Sequence, residues 1–504
     1  MEPLQAENDK KPNVIWLTTD HHLFYGHDGI QRPNYEKFCK EAVEFTRAYT
    51  VCPLCSPARR SMLDGLYPHN HGVLDNDINL PLDEETYYNS LLQNNYDCRY
   101  IGKWHAGCNH IVDGKNIKGL TTESYGCPYT WDDYKDYLRQ KGLNGPQAYI
   151  DISFSQKDFY REGTTLDLTK VKHLFSQSFG RMVSDKETHE LFYLGNRAVE
   201  TMRELSVNSK PFCLRVDFWG PHHPYFPSEE FLKMYDPEKI SMYPSFCDDL
   251  SNKPDVYRND HAAGMIKNGK LIYPNPLPTE TWKRMLWYAY AHVSMADAAI
   301  GLILDEAEKM GLIENTVIIV TSDHGDALGC HGGHMDKDTY LCEEVLRIPL
   351  AVMYKEKLEP QKLDCLVSNL DIPVTVANLG AANLAGANPE GAGFKSQTDG
   401  IDLIKLADNC RKDCSTPRDF FVSVTHGHFT KNEGRALICG QYKYVYNHHD
   451  AEELYDLSQD KYEMNNLAKD INYNKLLGEM RQKLNEWQRR YQDPLVIETP
   501  PNRV

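Results

Sequence analysis

The chain has 504 residues, of which 41% are hydrophobic, so it can bury a large core and exceeds the usual span of one compact domain. Its formal net charge of −17 at pH 7 argues against nucleic acid or an anionic membrane surface as a partner, because both attract basic protein faces. No apolar run reaches membrane-spanning length and residues 1–13 lack the apolar stretch of a secretion signal, so we expect a soluble cytoplasmic protein whose fourteen cysteines are mostly reduced.

Predicted strands and helices alternate over the first three quarters of the chain. Runs rich in β-branched residues at 13–20, "NVIWLTTD", and 315–326, "NTVIIVTSDHGD", predict buried parallel strands. Further strands are predicted at 96–102 and 212–219, and helices at 34–45, 188–206 and 281–311. This alternation predicts an α/β fold with a large, mostly parallel sheet flanked by helices, and with ligands bound at the carboxyl ends of the strands.

The pattern changes after about residue 380. Residues 378–393, "NLGAANLAGANPEGAG", predict a loop of small residues. "DFFVSVTH" and "RALICGQYKYVYNH" then predict antiparallel strands, and "YNKLLGEMRQKLNEWQRRY" predicts a terminal helix. We therefore predict a larger domain over residues 1–380 and a C-terminal subdomain, with a small antiparallel sheet and the terminal helix, over residues 381–504.

Two of the predicted strands end in an Asp–His pair, Asp20–His21 and Asp323–His324. Each Asp alone could simply cap the helix that follows it. Two carboxylates that meet at one sheet edge repel each other, however, unless a cation lies between them, so the two pairs together favour a divalent metal site. Oxygen ligands from Asp20 and Asp323 favour Ca²⁺ or Mg²⁺, whereas coordination by His21 and His324 would move the preference toward Mn²⁺ or Zn²⁺.

Cationic and proton-transferring side chains follow other predicted strands. Lys103 and His105 follow the strand at 96–102, and His222 and His223 follow the strand at 212–219. Lys337 comes shortly after the second Asp–His pair. A single Lys or His in a loop is usually just solvated, but this joint placement predicts a site for a tetrahedral oxyanion, with histidines to move protons.

Cys55 stands in "CPLCSPARRSMLDG", immediately before a predicted helix. With Cys52 it could form a CxxC redox pair, or it could be a buried packing residue. No second CxxC completes a zinc ribbon, and a redox pair would not explain the distant aspartates and lysines.

Residues 55–65, "CSPARRSMLDG", resemble the signature of the type I sulfatases, in which the cysteine is oxidised after translation to the aldehyde formylglycine. Further segments resemble landmarks of that family in the same order: "NVIWLTTDHH", "GKWHAG", "GPHHPYFP", "NTVIIVTSDHGDALGCHGG", "EEVLRIPL", "LDIPVTVANLG" and "KYVYNHHDAEELYDLSQDKYEMNNLA". The resemblance implies the alkaline phosphatase-like α/β sandwich with a C-terminal subdomain. It also implies a partner that matures Cys55, either a formylglycine-generating enzyme or an anaerobic sulfatase-maturating enzyme.

Carried over by position, the resemblance implies one divalent cation, with Ca²⁺ favoured over Mg²⁺ and Mn²⁺, held by Asp20, His21, Cys55, Asp323 and His324. It implies further that Arg59 holds the modified side chain, that Lys103 and Lys337 bind the sulfate, and that His105 and His222 transfer protons. The hydrated aldehyde would present two hydroxyls, of which one attacks sulfur and displaces an alcohol protonated by His222 or Lys337. The other would lose its proton to His105 and expel sulfate, whereas a thiol or serine would remain sulfated.

Two departures bear on the substrate. His21 stands where many sulfatases carry Asp or Gln, and His324 stands where many carry Asn. This pairing resembles the phosphonate monoester hydrolases. Asn76 also resembles an Asn that contacts the substrate in that subgroup. The resemblance implies hydrolysis of a small aryl or carbohydrate sulfate monoester. Hydrolysis of a phosphonate monoester or phosphodiester at the same site is the alternative, and a non-catalytic protein that binds metal or anions is a third interpretation.

Overall fold

The structure is a computed structural model that describes residues 10–495, except 83–84, 109–110, 113, 115–116, 123–124, 156–159, 172–173, 175, 260–264, 268–269, 273–276, 382–397 and 414–417. The strands of this described part are β1 (Asn13–Thr19), β2 (Val43–Tyr49), β3 (Asp97–Gly102), β4 (Ile117–Leu120), β5 (Gln147–Ser153), β6 (Thr165–Asp167), β7 (Ser178–Met182), β8 (Phe212–Asp217), β9 (Met265–Lys267), β10 (Lys270–Ile272), β11 (Thr316–Ser322), β12 (Leu350–Met353), β13 (Gln361–Ser368), β14 (Phe420–His426), β15 (Glu433–Cys439), β16 (Tyr442–Asn447) and β17 (Glu453–Asp456).

The α-helices of the same part are α1 (Pro33–Cys39), α2 (Cys55–Asp64), α3 (Pro68–His71), α4 (Tyr87–Gln93), α5 (Asp132–Lys141), α6 (Glu190–Ser206), α7 (Glu229–Leu232), α8 (Asp255–Asn259), α9 (Thr279–Lys309), α10 (Glu343–Leu346), α11 (Asp371–Ala381), α12 (Leu403–Asp413) and α13 (Asn474–Tyr491). Over the described residues, none of these helices combines the length and apolar character that crossing a membrane requires.

An eight-stranded central sheet has the order β13-β2-β12-β11-β1-β8-β3-β4. Strand β12 runs antiparallel to both of its neighbours, and the other neighbouring pairs are parallel. The inner strands are nearly continuous apolar runs because both of their faces are covered; all seven residues of β11 are buried. The predicted mostly parallel sheet is confirmed.

Alternate residues of β1 reach two different cores, as the two-residue period of a strand requires. Ile15 and Leu17 pack into a core shared with α6 and α9, whereas Val14 and Trp16 pack into a core shared with α2, α4 and α11. Helices therefore cover both faces of the sheet, and the predicted α/β sandwich is confirmed.

The register of the central strands brings their carboxyl ends together. Thr19 of β1 pairs with Ser322 of β11, so the residues that follow them, Asp20 and Asp323, meet at one edge of the sheet. On the other side of β1, β8 ends at Asp217 beside the end of β3, and Lys103 follows directly. The ends of these strands thus bring three carboxylates and one lysine together: Asp20, Asp217, Asp323 and Lys103.

The C-terminal part forms a separate four-stranded antiparallel sheet, β14-β15-β16-β17, against which α13 packs. The predicted small antiparallel sheet and terminal helix are confirmed. This sheet supports the segment that leads to Cys55, because Val424 N donates to Val51 O and Ser423 Oγ donates to Thr50 O. The boundary between residues 380 and 381 stays a prediction, and most of the predicted loop at 378–393 lies outside the described residues.

Two local predictions are wrong. The helix predicted at 34–45 ends at Cys39, and Val43 already belongs to β2. Phe38 and Ala42 imitate the spacing of one helix face, but the alternating burial that begins at Val43 is that of a strand. The first residues of the predicted loop at 378–393 are helical, because α11 continues to Ala381.

Candidate active site

Four buried side chains form what we call the strand-end cluster: Asp20, Cys55, Asp323 and His324. Their donor atoms all lie within 4.8 Å of one another. Cys55 is the first residue of α2, and its Sγ lies 3.1 Å from His324 Nε2 and 4.0 Å from Asp20 Oδ1. Cys52 and Cys55 form no disulfide, and Cys55 instead contacts His324.

Arg59 lies one helical turn after Cys55, and its guanidinium contacts three buried carboxylates. Nε donates to Asp323 Oδ2 over 2.9 Å, one terminal nitrogen to Asp217 Oδ2 over 3.0 Å, and the other to Asp20 Oδ2 over 2.6 Å. Lys103 Nζ also donates to Asp20 Oδ2, over 2.6 Å. Burial alone would raise the pKa of Asp20, but Lys103 and Arg59 hold it well below its usual value, so the carboxylate stays ionised.

Sequence reasoning missed Asp217. Its carboxylate accepts hydrogen bonds from Arg59, from Arg215 over 2.8 Å and from Tyr100 Oη over 2.9 Å. Asp217 therefore fixes the guanidinium that orients the other two aspartates. The available signal was a carboxylate near the end of the predicted strand "FCLRVDFW", the same kind of position that singled out Asp20.

The side chain of His21 is not part of the strand-end cluster. Its backbone has a φ of 58°, and its ring faces Asp326, with 3.1 Å between His21 Nε2 and Asp326 Oδ1. The ring groups instead with His222 and His223. The predicted ligation of a metal by His21 stays a prediction, and Asp326 is a second residue that sequence reasoning missed.

Lys337 and His222 contact each other beside the strand-end cluster, with His222 Nε2 3.9 Å from Asp20 Oδ1. Lys337 Nζ lies 3.3 Å from His222 Nε2 and 3.0 Å from Asp336 Oδ1. His222 Nδ1 lies 2.7 Å from the backbone oxygen of His223, a contact in which the ring nitrogen must donate. The neutral ring therefore leaves Nε2 as an acceptor that points to Lys337.

The charges of this pair follow from their surroundings. Burial, His223 and Lys337 lower the pKa of His222 well below its usual value, so the imidazole is neutral. Burial would also lower the pKa of Lys337, but Asp336 and Cys55 raise it above the ordinary value, so the ammonium stays charged.

His105 lies near Lys103 at the end of β3, with a left-handed backbone φ of 43°. Its ring packs edge-on against Tyr125 at 5.3 Å between ring centroids, and Lys103 Nζ lies 4.1 Å from the centre of the same ring. Burial and Lys103 lower the pKa of His105 well below its usual value. Among the described residues its Nδ1 has no hydrogen-bond partner, so a neutral, proton-accepting ring is available.

Asn76 supports the start of α2. Its Oδ1 accepts a hydrogen bond from Ser56 N over 2.9 Å, next to Cys55, and Leu54 at the N-cap offers no side-chain cap of its own. The structure thus gives Asn76 a capping contact, and the predicted contact of Asn76 with substrate stays a prediction.

Two family models match the chain. A family model described as Sulfatase matches residues 12–382, and one described as N-sulphoglucosamine sulphohydrolase, C-terminal, matches residues 329–490. The Ulvan-active sulfatase of Formosa agariphila is 25% identical over 493 residues, which cover 96% of this chain and 82% of that protein. The N-acetylglucosamine-6-O-sulfatase of Bacteroides thetaiotaomicron is 26% identical over 536 residues, covering 97% and 88%.

Solved structures share the fold. A structure in complex with D-glucosamine-2-N,6-O-disulfate matches with a TM-score of 0.71 at 21% identity, covering 96% of this chain and 99% of the other. The phosphonate monoester hydrolase of Agrobacterium radiobacter matches with a TM-score of 0.72 at 18% identity, covering 95% and 96%. The Sulfatase model covers well over half of the chain, so the chain belongs to the sulfatase family and is a sulfatase enzyme.

Proposed function

We propose that this chain hydrolyses sulfate monoesters of carbohydrates, with formylglycine derived from Cys55 as the nucleophile. The observation that carries the proposal is the place of Cys55, whose Sγ lies between His324 and Asp20 among ionised side chains. The structure carries the encoded cysteine, and its Sγ marks the position that the oxygens of formylglycine would take. The hydrated aldehyde supplies one hydroxyl that attacks sulfur and a second whose proton loss releases sulfate.

The donors of the strand-end cluster fit a divalent cation. His324 Nδ1 lies 2.8 Å from Gly325 O, to which it donates, and with an ion bound Nε2, which faces Cys55, would be the ligand atom. Two carboxylates, this imidazole and residue 55 would hold the ion. We propose Ca²⁺, with Mg²⁺ or Mn²⁺ as alternatives, and its charge would lower the pKa of the attacking hydroxyl.

Lys103 and Lys337 are the cations that would receive the sulfate group. Both are buried, and they reach the strand-end cluster from different sides, Lys103 through Asp20 and Lys337 through His222. Two fixed ammonium groups stabilise the charge of a tetrahedral anion more strongly in a buried site than in water.

The proposed reaction needs two proton transfers, and we assign them to different residues. His105 is neutral, and its Nδ1 has no hydrogen-bond partner among the residues that the structure describes, so it can take the proton that releases sulfate. His222 is neutral and accepts at Nε2, so it is not itself an acid. We therefore assign the proton for the leaving alcohol to Lys337, which gives it directly or through His222 Nε2.

The proposed substrate class rests on the relatives. One relative is an N-acetylglucosamine-6-O-sulfatase, and one structural neighbour was solved with D-glucosamine-2-N,6-O-disulfate. Tyr125, which lies against both His105 and His222, offers an aromatic face next to the proton-transfer groups. Phosphonate monoester hydrolysis is the second candidate, favoured by His324 in the strand-end cluster and by the fold shared with the Agrobacterium enzyme.

The oxidation of Cys55 to formylglycine requires access to a side chain that is buried in the folded chain. Cys55 is only 1% exposed, so we propose that a formylglycine-generating or anaerobic sulfatase-maturating enzyme acts on the chain before it folds. The mass of the peptide that contains residue 55 reports this conversion.

The test is a substrate screen with protein matured in this way. Sulfate monoesters of N-acetylglucosamine and of phenols are compared with phosphonate monoesters and phosphodiesters. We expect the sugar sulfate to have the highest kcat/KM, Cys55→Ala to abolish turnover, and the matched variant Cys52→Ala to keep it. Turnover that survives in Cys55→Ala would overturn the nucleophile, and a preference for phosphonate monoesters would overturn the substrate class.

A further inference from the structure

A second group of buried metal-binding side chains lies apart from the strand-end cluster. We call it the sulfur cluster, and its members are Cys330, His331, Cys342 and Glu344. One donor atom from each of the four lies within 4.8 Å of all the others, and all four residues are buried. None of them belongs to the groups that contact Cys55, so the sulfur cluster has no part in the proposed reaction.

Polar atoms of this cluster lack the partners that burial demands. Among the described residues, His331 Nε2 and both carboxylate oxygens of Glu344 have no hydrogen bond. Glu344 has the imidazole of His331 as an ionic partner, but a buried carboxylate that accepts no hydrogen bond is costly and is found where a cation or ordered solvent completes it. His331 Nε2 lies 3.5 Å from Glu344 Oε2, close to the roughly 3.4 Å that separates two ligands of one tetrahedral Zn²⁺ with bonds of about 2.0–2.1 Å.

The other ring nitrogen of His331 also has the surroundings of a metal ligand. Nδ1 lies 3.5 Å from Asp248 Oδ2, so the ring is placed between a carboxylate and the centre of the cluster. Metal-bound histidines usually face such a carboxylate through their second nitrogen, which fixes the ring and its tautomer.

The backbone turns at Cys330 and His331, so that these consecutive side chains place their donor atoms within 4.8 Å of each other. His331 has a φ of 41°, a left-handed conformation that is unfavourable for a residue with a side chain. His334 N donates to Cys330 O over 2.8 Å and closes the turn. Strain of this kind persists where the surrounding structure rewards it, and a shared ligand for Cys330 and His331 would do so.

We propose that the sulfur cluster binds one Zn²⁺ ion in a closed, structural site. Two thiolates, one imidazole and one carboxylate complete a tetrahedral shell, and thiolate ligands exclude Ca²⁺ and Mg²⁺ in favour of Zn²⁺. A disulfide between Cys330 and Cys342 is the rival arrangement, but it would leave both carboxylate oxygens of Glu344 without a hydrogen bond from the described residues.

The ion would close a loop that serves the active site. Cys330 and Cys342 bracket the segment that carries Asp336 and Lys337, whose ammonium contacts His222. A single ion that links the two ends of this segment would restrict the positions that Lys337 can take.

Metal content tests the proposal without any need for activity. The full chain is prepared as Cys55→Ala and saturated with Ca²⁺, so that the strand-end cluster lacks its thiol and its carboxylates are occupied, then exposed to one equivalent of Zn²⁺ and dialysed against Ca²⁺ buffer. We expect one tightly held Zn²⁺ per chain. Cys330→Ala combined with Cys342→Ala should lose it, while the matched variant Cys98→Ala combined with Cys213→Ala, which also removes two buried thiols, should retain it.

A spectroscopic measurement keeps the test independent of whether the double variant folds. Cys55→Ala protein loaded with Co²⁺ should show thiolate-to-cobalt charge-transfer absorption and the intense visible bands of a tetrahedral site. Absence of those bands, Zn²⁺ that persists without Cys330 and Cys342, or a disulfide that joins them in the purified protein would each overturn the proposal.

Discussion

The strand-end cluster and the sulfur cluster are assembled in different ways. The donors of the first come from three distant parts of the chain, which the register of β1 and β11 and the start of α2 bring together. The donors of the second all lie within residues 330–344. The first geometry is therefore fixed by the register of the sheet, whereas the second lies within one short segment that the proposed ion would close.

The two clusters also differ in the charges around them. Arg59 and Lys103 already compensate the aspartates of the strand-end cluster through direct hydrogen bonds. The carboxylate of Glu344 receives no hydrogen bond from the described residues. Loss of the ion should therefore cost mainly activity at the strand-end cluster and mainly local order at the sulfur cluster.

The largest effect should come from Asp20→Asn. This change removes a charge from the strand-end cluster, and we expect kcat/KM for a sulfate ester to fall by about 10³-fold or more, because electrostatic stabilisation and metal activation both weaken. The bound Zn²⁺ of the sulfur cluster should remain. Steady-state kinetics and metal analysis of the same preparation check both halves, and joint loss of activity and Zn²⁺ would show that the clusters are not independent.

Arg59→Met should be the most destabilising single change. It leaves three buried carboxylates without their shared cation, and removing one partner of a buried ion pair costs about 3–5 kcal/mol. Urea denaturation measures the loss in the free energy of unfolding. Arg197→Met is the matched control, since its partners Asp133 and Glu200 are partly exposed, and it should cost under about 1 kcal/mol. Equal losses in the two variants would contradict the role of Arg59.

Much of the strand-end cluster was predictable because parallel strands impose a rule on sequence. A long apolar run followed by a carboxylate indicates a strand end at the sheet edge, which identified Asp20 and Asp323. The same rule would have found Asp217. It failed for β2, where the two-residue alternation from Val43 onward follows directly on a short helix.

The remainder of the site depends on loop geometry that no local pattern encodes. The ring of His21 faces Asp326 because its backbone is left-handed, and side-chain type alone does not reveal that turn. The sulfur cluster is similar, since consecutive Cys330 and His331 converge only through a positive φ at His331.

His105→Ala should reduce kcat by about 10²-fold or more, the usual contribution of a general base. The sign of its pH dependence follows from the lowered pKa: the folded protein keeps His105 neutral below its ordinary value of 6.5, so the base fails only at lower pH. We expect the kcat of the wild-type protein to show no decrease near pH 6.5 that is due to His105. The pH profiles of the wild type and of His105→Ala should therefore have the same shape in that range. A loss at that pH, absent from the variant, would contradict the lowered pKa.

The smallest effect should come from Cys342→Ala in matured protein, with Ca²⁺ supplied. Loss of Zn²⁺ would loosen the segment that carries Lys337, and we expect KM to rise roughly 3- to 10-fold, less than the ~10²-fold that a misplacement of about 1 Å can cost. The change in kcat should be smaller, because the strand-end cluster is held by the sheet. Cys98→Ala, with its thiol buried in β3 and away from both clusters, should leave KM unchanged. If Cys342→Ala instead lowered kcat as far as Asp20→Asn does, the loop ion would be part of the reaction centre, and the contrast between a core-built site and a loop-built site would fail.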